Sequence, residues 1–82
     1  MKVRILLFAI LRDIVGRDEI DRDLPDGSRA SDLWRDLLSE FPDLGRFQSP
    51  PMVAVNQNYE PAGTELHDGD EVAFIPPVSG GH

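Results

Sequence analysis

The residues with the most chemical promise stand at the end of the chain, Pro76-Pro77-Val78-Ser79-Gly80-Gly81, followed by His82. Two consecutive prolines lack N–H donors and fix φ, so a strand that reaches them stops pairing and leaves its sheet as an extended arm. From Pro76 to Gly81 such an arm spans at most roughly 20 Å, and its two terminal glycines, having no Cβ, fit a channel too narrow for other residues. An arm with that tip suits a substrate. Other candidate groups read as ordinary surface. His67 stands in a turn with Asp68, Asp70 and Glu71, and one imidazole among solvated carboxylates is expected to be surface rather than a metal site. Asp18, Glu19, Asp21 and Asp23 lie along an exposed edge, where charge blocks unwanted strand pairing and nothing desolvates a carboxylate for acid–base work. Ser28, Ser31, Ser39, Ser49 and Ser79 have no base partner in view. With no cysteine anywhere, disulfides, thiolate metal sites and a side-chain persulfide are all excluded.

Positioning the arm requires an apolar strand before it, and Glu71 to Ile75 supplies one after the turn His67-Asp68-Gly69-Asp70. The opening segment Lys2 to Ala9 begins by alternating and then becomes continuously apolar, as in a strand buried on both faces near the middle of a sheet. Ile10, Leu11, Ile14 and Val15 recur at helical spacing, and Gly16 is placed to stop that short helix. Glu19 to Leu24 alternates as a polar edge strand closed by Pro25-Asp26-Gly27. The one long helix carries Ala30, Leu33, Trp34, Leu37, Leu38 and Phe41 on its apolar stripe. Ser28 is its expected N-cap, Asp32 sits near its positive end, and Pro42 ends it. Asp43 to Pro51 reads as a polar loop, Met52 to Asn56 as a strand and Gln57-Asn58 as a turn, while Asn58 to Leu66 has no clear pattern.

Hairpin connections outnumber helical crossovers, so the arrangement is α+β with a mixed sheet packed on one main helix. The first and last strands are the most apolar and are expected side by side at the centre, which gives the β-grasp, or ubiquitin-like, topology. At 82 residues there is room for one core. The division is a β-grasp domain over 1–75 and a flexible C-terminal tail over 76–82. Fifteen acidic against 8 basic residues leave a net charge of −7, which repels phosphate backbones and anionic membranes, so neither nucleic acid nor membrane is an expected partner. No apolar run approaches membrane-spanning length, and a soluble cytoplasmic protein is expected. Phe8, Phe74 and Ile75 lie on central strands, whose one face packs on the helix while the other is open to a partner; at least one is expected to remain exposed near the tail exit.

Arg4-Ile5-Leu6-Leu7-Phe8-Ala9, Arg12-Asp13-Ile14-Val15-Gly16, Ala54-Val55-Asn56-Gln57 and the run from Asp68 to Gly81 together resemble the molybdopterin synthase small subunits of the MoaD/ThiS sulfur-carrier family. The resemblance implies that Gly81 is the reacting residue. Its carboxylate would attack the α-phosphate of ATP in a separate, MoeB-like adenylating enzyme, and sulfur from a donor system would then displace AMP to leave a C-terminal thiocarboxylate. It further implies that Phe8, Phe74, Ile75, Pro76, Pro77, Val78, Ser79 and Gly80 meet a MoaE-like large subunit in a heterotetrameric synthase. There the sulfur would pass to cyclic pyranopterin monophosphate. The chain itself would bind no cofactor and no metal and would not be an enzyme alone, the ATP being used by the activating enzyme.

His82 departs from that pattern. A residue after Gly81 turns its carboxyl into an amide, which cannot be adenylated, so His82 is expected to be a remnant of expression or an extension removed by a protease. Two other readings stay open. One is a sibling sulfur carrier for thiamine, cysteine or tRNA thiolation; the other is a ubiquitin-like interaction or tagging module whose terminal Gly is found on lysines of other proteins.

Overall fold

The computed structural model describes residues 1–46 and 50–76. The chain runs β1 (Lys2–Leu7), α1 (Ala9–Val15), β2 (Glu19–Asp23), α2 (Ala30–Glu40), a 3-10 turn (Pro42–Arg46), β3 (Met52–Val55), β4 (Asn58–Glu60) and β5 (Glu71–Ile75). The strands form one sheet in the order β2-β1-β5-β3-β4. β1 and β5 pair in parallel, with Ile5 opposite Val72 and Leu6 opposite Ala73, and the other three pairings are antiparallel. This is the expected β-grasp fold, with the first and last strands adjacent and β5 at the centre.

Alternation builds the core. Val3, Ile5 and Leu7 of β1, Val53 and Val55 of β3, and Val72 and Phe74 of β5 turn to one face, where Leu11 of α1 and Leu33 and Leu37 of α2 meet them. Lys2 and Arg4 are exposed and Leu6 is half-buried. The expectation that β1 is buried on both faces is therefore corrected: the helices pack on one side only, and the apolar residues that made the run continuous belong to an open face. Leu37 has no exposed surface, so Leu37→Ala removes core volume from a site with little room to collapse. A loss of about 2–5 kcal/mol is expected, and an unchanged melting temperature would mean that α2 does not pack as described.

Local signals account for the helix ends. Gly16 takes φ 85° and its N–H donates to the Arg12 carbonyl at 2.8 Å, a left-handed cap that glycine adopts without strain. At α2 the expected cap shifts by one residue. Arg29 is the N-cap, its backbone N–H donating to Asp32 Oδ2 at 2.9 Å, while the Ser28 hydroxyl donates to the Pro25 carbonyl at 2.7 Å and closes the preceding turn. Asp32 thus satisfies a backbone donor and sits at the positive end of the helix dipole. Arg22 of β2 and Glu40 at the end of α2 form an ion pair at 2.6 Å.

Two segments differ from the sequence reading. The expected loop after Pro42 opens with the 3-10 turn, held by a fully buried Leu44; residues 47–49 lie outside the described set. The Gln57-Asn58 turn moves back by one, to Asn56 and Gln57 with φ 50° and 73°, which are the paired positive values of a two-residue hairpin turn. That turn joins β3 to β4.

Candidate functional site

The last described residue is Pro76, so the expected tail residues Pro77, Val78, Ser79, Gly80, Gly81 and His82 lie outside the described residues. What the structure gives is the base from which they leave. β5 is the central strand, so its final residue has a neighbour on each side. Met52 of β3 stands opposite Ile75. Leu7 pairs with Phe74, which sets the next residue, Phe8, beside Ile75 on the β1 side. Phe8 remains in extended backbone, φ −121° and ψ 152°, so its side chain alternates with the buried Leu7 and turns to the open face. The following residue makes the corner: Ala9 takes φ 53°, a left-handed conformation unfavourable for a residue with a Cβ. That corner diverts the chain into α1 and leaves Phe8 at the rim.

The open face divides into two halves. Nearest the tail exit, Phe8, Ile75 and Met52 form one row, and Leu6, Ala73, Ala54 and Tyr59 form the row beneath it by direct cross-strand register. Phe8 and Met52 are each 44% exposed and Tyr59 is 68% exposed, a concentration of large apolar side chains of the kind that marks a partner surface. Further along β1 the face turns charged. Arg4 stands between Asp21 and Glu71 and its guanidinium lies 3.6 Å from Glu19, while Lys2 faces Asp23. Charges of opposite sign stand across the strands there, with Arg4 and Glu19 paired, so the apolar half is the part left without polar company among the described residues.

Of the three strand residues singled out from the sequence, Phe8 and Ile75 lie on this face. Phe74 does not: it has no exposed surface and its ring sits 5.1 Å from that of Trp34, tilted by 44°. Alternation along β5 decides the matter, since Val72 and Phe74 share the core side while Ala73 and Ile75 share the open one. Sequence reading missed Met52, Tyr59 and Leu6 as face residues. The signal for Met52 was its phase against Val53 and Val55; for Tyr59 there was none without β4.

The turn Leu66 to Asp70 holds the other candidates. Asp70 accepts from Asn56 Nδ2 at 2.9 Å and from the His67 backbone at 2.8 Å, and His67 Nδ1 lies 3.9 Å from it with the imidazole mostly exposed. These contacts fasten the turn to the β3–β4 hairpin. Among the described residues no group of three or more His, Cys, Asp or Glu side chains is arranged to hold a metal ion, and no helix is long and apolar enough to cross a membrane.

Comparison with known proteins places this geometry. A model of the ThiS family matches residues 5–81, a span that runs from the middle of β1 to the second glycine of the tail. The molybdopterin synthase sulfur carrier subunit of Chlamydomonas reinhardtii is 40% identical over 83 residues, covering 99% of this chain and 100% of that protein. Among solved structures, the small archaeal modifier protein 1 of Methanosarcina acetivorans superposes with a TM-score of 0.77 at 30% identity, covering 98% of this chain and 96% of that one. A protein–protein complex of subunits 1 and 2 of the molybdopterin-converting factor from Helicobacter pylori contains a chain with a TM-score of 0.66 at 24% identity. It covers 99% of this chain and 100% of that one, and a likeness at that identity speaks to the fold alone.

Proposed function

Because the chain belongs to the ThiS family, we propose that it is a sulfur carrier, the small subunit of a molybdopterin synthase, with no catalytic group of its own. The observation that carries this reading is the family match that extends through Gly80 and Gly81 on a fold whose central strand leads to them. The Gly81 carboxylate, once free, attacks the α-phosphate of ATP on a MoeB-like adenylating partner and pyrophosphate leaves. Sulfur from a donor system then displaces AMP, and the product is a thiocarboxylate. The loaded terminus enters a MoaE-like large subunit and gives its sulfur to cyclic pyranopterin monophosphate. The chain's own part is to dock and to present: Phe8, Ile75 and Met52 seat the partner, and Pro76 ends the pairing of β5. No cofactor is assigned to the chain, and ATP belongs to the activating step. The mass of the carboxyl terminus after incubation with ATP, the activating enzyme and a sulfur donor tests the reading.

The docking part has its own test. Ile75→Asp places a charge in the centre of the apolar row, where burial against a partner would strand it without compensation. Affinity for the large subunit is expected to fall by at least tenfold, about 1.4 kcal/mol, with the melting curve little changed because the side chain lies on the open face. Equal affinity would move the docking site elsewhere.

A second reading, a protein modifier, is favoured by the likeness to the Methanosarcina acetivorans modifier protein. It requires the terminal glycine in isopeptide linkage to lysines of other proteins, which proteomic mapping of Gly-Gly remnants reads directly.

A further inference from the structure

Sulfur occurs twice in this chain, in Met1 and Met52, and no cysteine accompanies it. The two thioethers have opposite surroundings. Met1 packs against the core, its side chain only 4% exposed. Met52 opens β3 and is 44% exposed, and the strand register explains why. On one side it stands opposite Ile75 of β5; on the other, β4 ends with Glu60 opposite Val53, so no strand residue flanks Met52 there among the described residues. An open hollow of about 190 Å³ lies alongside, lined by Pro51, Met52, Val53, Tyr59, Glu60 and Ala62. A small oxidant therefore reaches the Met52 sulfur without any strand having to part. Reactive cysteine thiolates, which compete best for such an oxidant, are absent, and Met52 is left as the exposed sulfur of the unloaded chain.

We propose that Met52 is a reversible oxidation site, at which a hydroperoxide converts the thioether to a sulfoxide and so lowers the chain's affinity for the large subunit. The proposal rests on the docking reading given above, in which Phe8, Ile75 and Met52 seat that partner. In the step, a sulfur lone pair attacks the terminal peroxide oxygen and the S–O bond forms. The O–O bond breaks with its electron pair going to the departing oxygen, which takes the proton that the transferred oxygen loses and leaves as water or an alcohol. Sulfur is oxidised and the peroxide reduced. The product carries a strong dipole where the row had an apolar surface, and a partner closing over it removes the water that solvates the new oxygen. The other members of the row, Phe8 and Ile75, have no side-chain donor to replace that water. Ile75 directly precedes Pro76, so the change falls at the base of the tail, while the core on the opposite face of the sheet is untouched.

The probe is dilute hydrogen peroxide on the unloaded full chain, followed by peptide mass spectrometry and by titration against the large subunit. One added oxygen is expected at Met52 well before Met1, with the melting curve little changed, and affinity for the large subunit is expected to fall roughly tenfold. Methionine sulfoxide reductases for both epimers, supplied with a thiol reductant, should restore mass and affinity together. Saturation with the large subunit beforehand should protect Met52. Met52→Leu, whatever its starting affinity, should bind alike before and after peroxide. Oxidised chain that binds as tightly as reduced chain overturns the proposal. So do first attack at Met1, an unchanged rate of Met52 oxidation in the complex, and a loss of affinity that also occurs in Met52→Leu or accompanies a fall in melting temperature. Ile75→Asp in the same titration keeps the two readings apart: if it weakens binding while Met52 oxidation does not, the docking face stands and only the oxidation site fails. If neither weakens binding, the docking reading fails with it.

Discussion

A chain ending at Gly81 should gain the mass of one oxygen-to-sulfur exchange when given ATP, the cognate adenylating enzyme and a sulfur donor, and the chain ending at His82 should gain nothing. Adenylation needs a free carboxylate as nucleophile, and in the sequence as it stands the Gly81 carbonyl is bonded to the nitrogen of His82. Amide oxygen is a far weaker nucleophile, so the difference is one of presence against absence rather than of degree. Docking should survive in both forms, since Phe8, Ile75 and Met52 are unchanged. Gly81→Ala separates fit from chemistry: it keeps the carboxylate but adds a methyl at the reacting position, and a misplacement of about 1 Å can cost on the order of 100-fold in rate. Intact-protein mass spectrometry reads all three. A Gly81-ending chain that stays unmodified beside a demonstrably active enzyme ends the sulfur-carrier reading and leaves the modifier.

Most of the fold was legible because its strands announce themselves by phase. Val3, Ile5 and Leu7, and separately Val72 and Phe74, carry the alternation that places β1 and β5 in the core, and their shared apolarity put them together at the centre. β4 was not legible, for a physical reason: Asn58, Tyr59 and Glu60 are all exposed, so an edge strand of that length buries nothing and leaves no hydrophobic period. It is held by the two-residue turn at Asn56 and Gln57, residues whose propensity for φ > 0 was read one position late. The cap of α2 was misplaced for a related reason. Ser28 is the preferred residue type, but its hydroxyl had a better use in the turn with Pro25, and Asp32 did the capping from inside the helix. The docking face was half legible: Phe8 and Ile75 follow from strand position, whereas Met52 and Tyr59 join them only through the register of β3 with its two neighbours.

Phe74→Ala should be the most damaging single truncation in the domain, costing about 3–5 kcal/mol. Its ring is fully buried, packs against Trp34 of α2 and lies directly opposite Leu7 and Val53, so the cavity opens in the middle strand with neighbours on every side. For a domain of this size, total stability sits toward the lower part of the usual range of about 5–15 kcal/mol, and the loss takes much of it. Binding to the large subunit would fall with it, in proportion to the unfolded fraction. Phe8→Ala is the contrast. That ring is 44% exposed, so its removal should change stability by no more than about 0.5 kcal/mol while weakening docking. Chemical denaturation and binding measured on both variants therefore separate two roles that the sequence presents as one pair of aromatic residues beside the tail. If Phe74→Ala melts as wild type, β5 is not the core strand described, and the tail base loses its support. If Phe8→Ala binds as wild type, the apolar row at the tail exit is not the surface a partner uses.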